Sequence, residues 1–305
     1  MKSILNKVKI SSQPGGRPPA AVELSQEGAL GAALHSSGRE PVYAFAPLPA
    51  GALVPSIAEA NIRSAEAVAG AIRSVLGDVS PRSHAVTLVL PDSAVRVFIL
   101  DFDSLPAKAS EALPVLRLRL RKMVPFDSEQ AGVSYQVLDE NENGLKVLAA
   151  VLPGNILAEY EAVVRSAGYE PGTVLPSSLA ALEVIDSMEA VLAANLSTLA
   201  LTTSITNGSD LLLHRTLDLP EEPEARLTEI QRGIAVAAAY FEDALQAPAR
   251  EIRYAGSYET SEFARWIEDM DLNVVDLAPK PDTGALTPLG HASIAGAAGA
   301  LAGAD

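Results

Sequence analysis

The stretch from Ala85 to Leu182 constrains the fold most, because its first strand has no solvent side. Ala85-Val86 and Leu88-Val89-Leu90 form a near-continuous apolar run. Such a run suits a strand buried on both faces, which needs a sheet covered by helices front and back. The stretch then reads as a β-rich segment (Ala94–Leu100), a helix, two more strands, a helix and a short strand into Leu175-Pro176-Ser177-Ser178. Lys108 to Met123 carries two periods at once. Leu116, Leu118 and Leu120 alternate like a strand, while Leu113, Leu116, Leu120 and Met123 form a helical stripe. Length favours the helix, with Ser110 as its cap and Pro114 tolerated only in a first turn. Val133, Tyr135 and Val137 alternate as a strand, an acidic loop follows from Asp139 to Gly144, and Leu145–Leu152 returns. Asn155 is placed to cap a helix with Leu157, Tyr160, Val164 and Ala167 on one face, stopped by Gly168. The whole is a ββαββα module.

The flanks repeat a pattern. Ala20–Leu24, Ala29–His35 and Pro41–Ala46 read as a meander with turns at Ser25–Gly28 and Ser36–Arg39. Ile57 to Leu76 has helical spacing, and Gly77 is placed to stop it. In the second half, Thr198–Thr206 and Ser209–Leu217 flank Asn207-Gly208, the strongest two-residue hairpin signal. A long helix from Ala225 to Gln246 follows, then a strand (Glu251–Ala255), a helix (Thr260–Met270), a strand (Asn273–Leu277) and an Ala/Gly-rich closing helix (Leu289–Ala302). Each half therefore places antiparallel strands first and then helix, strand, helix.

Composition narrows the function. A length of 305 residues suits two domains, and a net charge of −15 argues against a nucleic-acid binder. No cysteine is present, which excludes disulfides and thiolate metal sites. The four histidines lack metal-ligand spacing, so no metal site is expected. Lys2, Lys7 and Lys9 make residues 1–18 a flexible basic leader without the apolar core of a secretory signal. No apolar run reaches the length of a membrane span.

Two similar halves around a cleft describe an α/β (α+β) chain of the actin-like ATPase kind, built from two ribonuclease-H-like domains. The ordered strings Val89-Leu90-Pro91-Asp92-Ser93, Val124-Pro125-Phe126-Asp127, Val133-Ser134-Tyr135-Gln136-Val137-Leu138, Ala167-Gly168-Tyr169-Glu170-Pro171 and Ser178-Leu179-Ala180-Ala181-Leu182 carry a resemblance to a known family. Over about 90–280 the sequence resembles the PilM family of type IV pilus assembly proteins, relatives of the division protein FtsA. That resemblance implies a first domain over 19–188 with the ββαββα subdomain inserted at about 84–168. It implies a second domain over 189–288 and a closing helix over 289–305.

The resemblance further implies a cytoplasmic protein peripheral to the inner membrane. Its partner would be the N-terminal tail of a PilN-like membrane protein, seated beside the inserted module, with pilus ATPases of the same platform as further partners. It also implies ATP and magnesium, bound through two phosphate hairpins and an adenosine motif. At those places this sequence reads Glu23-Leu24-Ser25-Gln26, Asn195-Leu196-Ser197-Thr198 and Ala255-Gly256-Ser257-Tyr258. The nucleotide candidates are thus Glu23, Ser25, Asn195, Ser197 and Gly256. The glycines of both phosphate turns are missing, and a Cβ there obstructs the approach of phosphate oxygens to backbone N–H groups. The expectation is a pseudo-ATPase scaffold with a degenerate nucleotide site and no catalytic residue. The alternatives are a working actin-like ATPase that gates pilus assembly, or a GspL-like component of type II secretion. The absence of a membrane span after residue 280 counts against GspL. Arg117, Arg119, Arg121 and Lys122 form the one dense basic cluster, either a solvated helix face or a contact for an acidic segment or anionic lipid. Arg117, Arg121 and Phe126 are the partner candidates, with Phe126 serving either the module core or the groove rim. Asp101 and Asp103 read as a carboxylate pair or, more simply, as a solvated loop.

Overall fold

A computed structural model describes residues 17–34, 41–142, 144–278 and 293–302. The first half opens with β1 (Ala20–Leu24), β2 (Gly28–Ala33), β3 (Val42–Pro47) and α1 (Ala65–Val79). β4 (Ala85–Leu90), β5 (Arg96–Phe102), α2 (Ala109–Leu120), β6 (Gly132–Asn141) and β7 (Gly144–Leu152) follow. α3 (Gly154–Ser166), β8 (Glu170–Pro176) and α4 (Ser177–Leu182) complete it. The second half holds β9 (Ala190–Leu196), β10 (Ala200–Asn207), β11 (Asp210–Asp218), α5 (Pro223–Leu245), β12 (Glu251–Gly256), α6 (Thr260–Trp266) and β13 (Asn273–Asp276). α7 (Ala295–Ala302) comes last.

Two sheets share one plan. Their strand orders are β3-β2-β1-β4-β8 and β11-β10-β9-β12-β13. In each, a three-strand antiparallel meander continues into two parallel strands. β4 sits between β1 and β8, which explains why its run has no polar face. Val22 pairs with Gly31, and Gly31 packs on Val75 of α1. The next residue, Glu23, points to the opposite face, where α7 lies.

The third sheet, β5-β7-β6, carries α2 and its own small core of Leu100, Leu116, Leu120, Val147, Ala149 and Val151. The inserted module is this β5-α2-β6-β7 unit. β4 and α3, which sequence grouped with it, belong to the first half: β4 pairs in the main sheet, and Ile156, Tyr160 and Val164 of α3 join the main core.

Several boundaries differ from the sequence reading. α1 starts at Ala65, capped by Ser64, and runs through Gly77 to a left-handed Ser80. Residues 56–61 instead close into a turn around buried Asn61, whose Nδ2 donates to Ser56 O (2.8 Å) and Glu59 O (2.7 Å). Neither Ser110 nor Asn155 caps: Lys108 and Pro153 hold those positions without a side-chain bond. Pro114 lies inside α2, past its first turn. The hairpin turn is Gly208-Ser209, one residue later than expected, since Asn207 pairs with Asp210. Gly208 alone has positive φ (58°), which fits a type II′ turn rather than the I′ turn. β9 falls in a stretch to which the sequence reading gives no strand.

Arg17, expected in the leader, is buried with Nη1 4.0 Å from Glu183. Residues 1–16 of the leader, His35, the Ser36–Arg39 turn, and residues 279–292 with His291 lie outside the described residues. Among the described residues no helix is long and apolar enough to cross a membrane.

Candidate functional site

The parallel strands of both halves end at one crevice, the place where open α/β sheets bind ligands. β1 ends at the Ser25–Gly28 turn, β4 at the 3₁₀ turn Asp92–Ala94 and β8 at Ser177 and Ser178, which open α4. From the other half come Asn195 at the end of β9, the Ser197–Ala200 turn, and Gly256 at the end of β12. All five nucleotide candidates, Glu23, Ser25, Asn195, Ser197 and Gly256, line one cavity of about 80 Å³ here.

The crevice is laced by side chains across the halves. Asp92 Oδ1 accepts from Ser178 N (3.0 Å) and Ser178 Oγ (2.8 Å). Its Oδ2 accepts from Asn195 Nδ2 (3.0 Å) and Thr202 Oγ1 (2.9 Å), both on the second half. Asn195 Nδ2 also donates to Ser177 Oγ (3.2 Å), and Ser177 Oγ donates to Glu23 Oε1 (2.6 Å). Glu23 Oε2 accepts from Ala297 N of α7 (2.9 Å). The Ser25 and Ser197 turns meet where Thr198 Oγ1 donates to Gln26 Oε1.

His214 closes the other end. Its Nε2 lies 3.4 Å from Ser178 Oγ and its Nδ1 2.9 Å from Ser204 Oγ. The Ser178 proton is committed to Asp92, so Nε2 carries the imidazole proton and Nδ1 accepts from Ser204. The proton directions then run consistently from Ser204 to Asp92 and from Asn195 to Glu23.

Burial governs the charges. Desolvation raises Glu23 to about 7, against the hydrogen bonds from Ser177 and Ala297, and nearby Asp92 adds to the rise. Burial also pushes Asp92 upward, opposed by its donors Ser178, Thr202 and Asn195. Burial lowers His214 to about 4, which keeps it neutral.

α7 fits against this crevice because it is built from small residues. A Cβ on Gly296 would lie 2.4 Å from Glu23 Oε1, and one on Gly299 would lie 1.8 Å from Ala180 O of α4. Ser293, just before α7, donates its N–H to Gly256 O (3.1 Å), so the closing segment touches both halves.

The partner candidates lie apart, on the inserted module. Arg117 donates from Nη1 to the carbonyls of Ser128, Glu129 (3.1 Å) and Ala131 (2.9 Å), while Ser128 Oγ donates back to Arg117 O (3.1 Å). Its guanidinium is thus occupied in tying α2 to the loop before β6. Phe126 is half-buried against the module core, and Arg119, Arg121 and Lys122 are exposed. Asp101 and Asp103 are exposed at the end of β5. Among the described residues no group of His, Asp or Glu is arranged to hold a metal ion.

Sequence reasoning missed Asp92, Ser177, Ser178, Thr202 and His214. A signal was present for the first three: polar residues directly after apolar strands, at Pro91-Asp92-Ser93 and Pro176-Ser177-Ser178.

No family profile matches the chain, and no curated protein sequence does. Solved structures do match. A chain of the PilM–PilN type IV pilus biogenesis complex superposes with a TM-score of 0.74 at 17% identity, over 95% of this chain and 100% of that one. The chain has the actin-like ATPase fold. The cytoplasmic domain of EpsL, an inner-membrane component of the Vibrio cholerae type II secretion system, superposes with a TM-score of 0.50 at 12% identity, over 89% of this chain and 92% of that one. In this actin-like chain, the turn after β1 and the turn after β9 bond directly through Thr198 and Gln26.

Proposed function

We propose that this chain is a cytoplasmic scaffold of a type IV pilus platform, peripheral to the inner membrane, that binds the tail of a PilN-like membrane protein. In this reading its cleft joins the two halves and does not turn over ATP. The observation that carries it is the likeness to the PilM–PilN complex chain over nearly the whole length of both. The pilus reading stands ahead of a type II secretion role because the likeness to EpsL is weaker, 0.50 against 0.74.

The cleft supports the second half of the proposal. Its volume, about 80 Å³, is far below the roughly 300–1,000 Å³ of small-molecule sites. The donors that would face phosphate are spent internally: Asn195 on Asp92 and Ser177, and Ser177 on Glu23. A half-ionised Glu23 beside Asp92 repels a triphosphate. These residues do not fit ATP.

Two measurements test this. A ligand at 100-fold over its Kd stabilises a protein by about 2.7 kcal/mol, which thermal unfolding detects easily. With millimolar ATP and magnesium the melting temperature is expected to stay where it is without them. A magnesium-dependent rise would restore the ATPase reading. In the second measurement, a synthetic peptide of the N-terminal tail of a PilN-like membrane protein from the same organism is expected to bind in calorimetry. Absence of binding removes the platform role.

A further inference from the structure

The segment Gly233–Phe241 of α5 contains no charged residue, although Glu224, Arg226, Glu229 and Arg232 precede it and Glu242 and Asp243 follow it in the same helix. One face is explained: Ile230, Gly233, Ile234, Ala237 and Phe241 are buried on the second sheet. The opposite face is not. Arg232, Ala235, Val236, Ala239, Tyr240 and Asp243 are all exposed along one stripe, with Val236 at 45% and Tyr240 at 43%, the Tyr240 hydroxyl alone reaching back to Leu212 O of β11 (3.4 Å). A helix that is apolar on both faces buries both, while a surface helix keeps its outer face polar.

The stripe is complementary to itself. Laid antiparallel on a copy, with a twofold axis between Ala237 and Ala238, it sets each Tyr240 over the other copy's Ala235 and each Val236 over the other copy's Ala239. Large meets small at every step, and the alanines let the helix axes approach to about 8–10 Å. The same axis brings Arg232 of one copy to Asp243 of the other, twice. Asp243 has no ion-pair partner among the described residues, and Arg232 has only Glu229, three residues before it in α5. One axis thus satisfies size and charge together, as a closed isologous contact requires.

We infer that two copies of this chain pair through the outer face of α5 about this axis. The inference is independent of the pilus reading. One helix pair sits at or below the low end of the about 1,200–2,000 Å² of stable interfaces, so the dimer is weak, in the micromolar range.

Sedimentation velocity on the purified full chain between about 1 and 200 μM tests it, with micromolar pairing as the expectation. Arg232→Glu and Asp243→Arg each place like charges across the axis and are expected to weaken pairing at least tenfold. The double variant restores opposite charges and is expected to recover it. Ala239→Arg, on the outer face and away from the core, abolishes it with an unchanged melting temperature. A wild-type chain that stays monomeric throughout overturns the inference. So do single reversals without effect, a double variant that fails to recover, or capture of the same face by phospholipid vesicles in place of a second copy.

Discussion

Thr202 Oγ1 in the second half donates to Asp92 Oδ2 in the first at 2.9 Å, and both groups are buried. Asp92 is the one acceptor shared by Ser178, Asn195 and Thr202. Its removal strips an acceptor from donors of both halves: Ser178 N loses its bond, and Asn195 and Thr202 keep only Ser177 and Thr216. Hydrogen bonds to charged groups contribute roughly 1.5–3 kcal/mol each, and unmatched buried donors add a desolvation cost. Asp92→Ala is therefore expected to cost about 3–5 kcal/mol in urea unfolding. Asp92→Asn, which keeps one carbonyl acceptor, is expected to cost less. A cost below about 1 kcal/mol for the alanine variant would show that the halves are held elsewhere.

Glu23 and His214 give opposite pH dependences. Glu23 is raised from 4.5 to about 7, so between those values the folded chain keeps a proton that the unfolded chain has lost. Its contribution is fully present below pH 4.5 and is lost as pH rises through about 7. Asp92, also raised, acts in the same sense. His214 is lowered from 6.5 to about 4, so its contribution is fully present above pH 6.5 and is lost as pH falls towards 4. Each effect is worth about 3 kcal/mol at its full extent. Relative to wild type, Glu23→Gln is expected to gain stability steadily from pH 4.5 to 7. His214→Gln is expected to gain it in the other direction, from pH 6.5 down to 4. Urea midpoints across this range give both difference curves, and parallel curves for variant and wild type would refute the assignment.

The fold was legible where a single physical cause dominated. The apolar run of β4 has no other home than the middle of a covered sheet, and the Asn207-Gly208 dipeptide fixed a hairpin to within one residue. Legibility failed where a distant residue decided a local conformation. Ile57 and Ile62 have helical spacing, yet Asn61 Oδ1 accepts from Ser56 N (3.0 Å) and from Tyr160 Oη of α3 (3.0 Å), and that knot delays the helix to Ala65. The site divided in the same way. Glu23 and Asn195 were placed by motif order, but their partners Asp92, Ser178 and His214 come from strand ends whose meeting only the topology reveals. The basic cluster on α2 was read as one surface, although Arg117 faces inward to carbonyls that no local pattern announces.

Two glycines in helices should respond oppositely to alanine. At Gly299 a Cβ would sit 1.8 Å from the Ala180 carbonyl oxygen, a backbone atom that moves only if α7 moves. Displacing α7 also strips Glu23 of its Ala297 N–H. Gly299→Ala is expected to destabilise by about 1–3 kcal/mol. Gly77 lies in α1 with nothing within 4 Å of its added Cβ. There, Gly77→Ala is expected to stabilise by about 0.5–1 kcal/mol through helix propensity. Chemical denaturation of the two variants side by side decides it, and a stabilised Gly299→Ala would mean that α7 does not dock as described.

Arg117 and Arg121 are four residues apart on α2 and at its end, but their roles differ. Arg117 spends its guanidinium on the Ser128, Glu129 and Ala131 carbonyls, whereas Arg121 is exposed. Arg117→Ala is expected to destabilise the chain by about 1.5–3 kcal/mol, with earlier hydrogen exchange in β6 and α2. Arg117→Lys rescues little, because one ammonium cannot reproduce the planar fork across these carbonyls. Arg121→Ala changes stability by less than about 0.5 kcal/mol. If a PilN-like tail docks on the basic face, Arg121→Ala weakens that binding in calorimetry while the melting temperature holds. A stability loss in Arg121→Ala equal to that in Arg117→Ala would show that the whole cluster is structural, and the docking role would pass to other residues of the module.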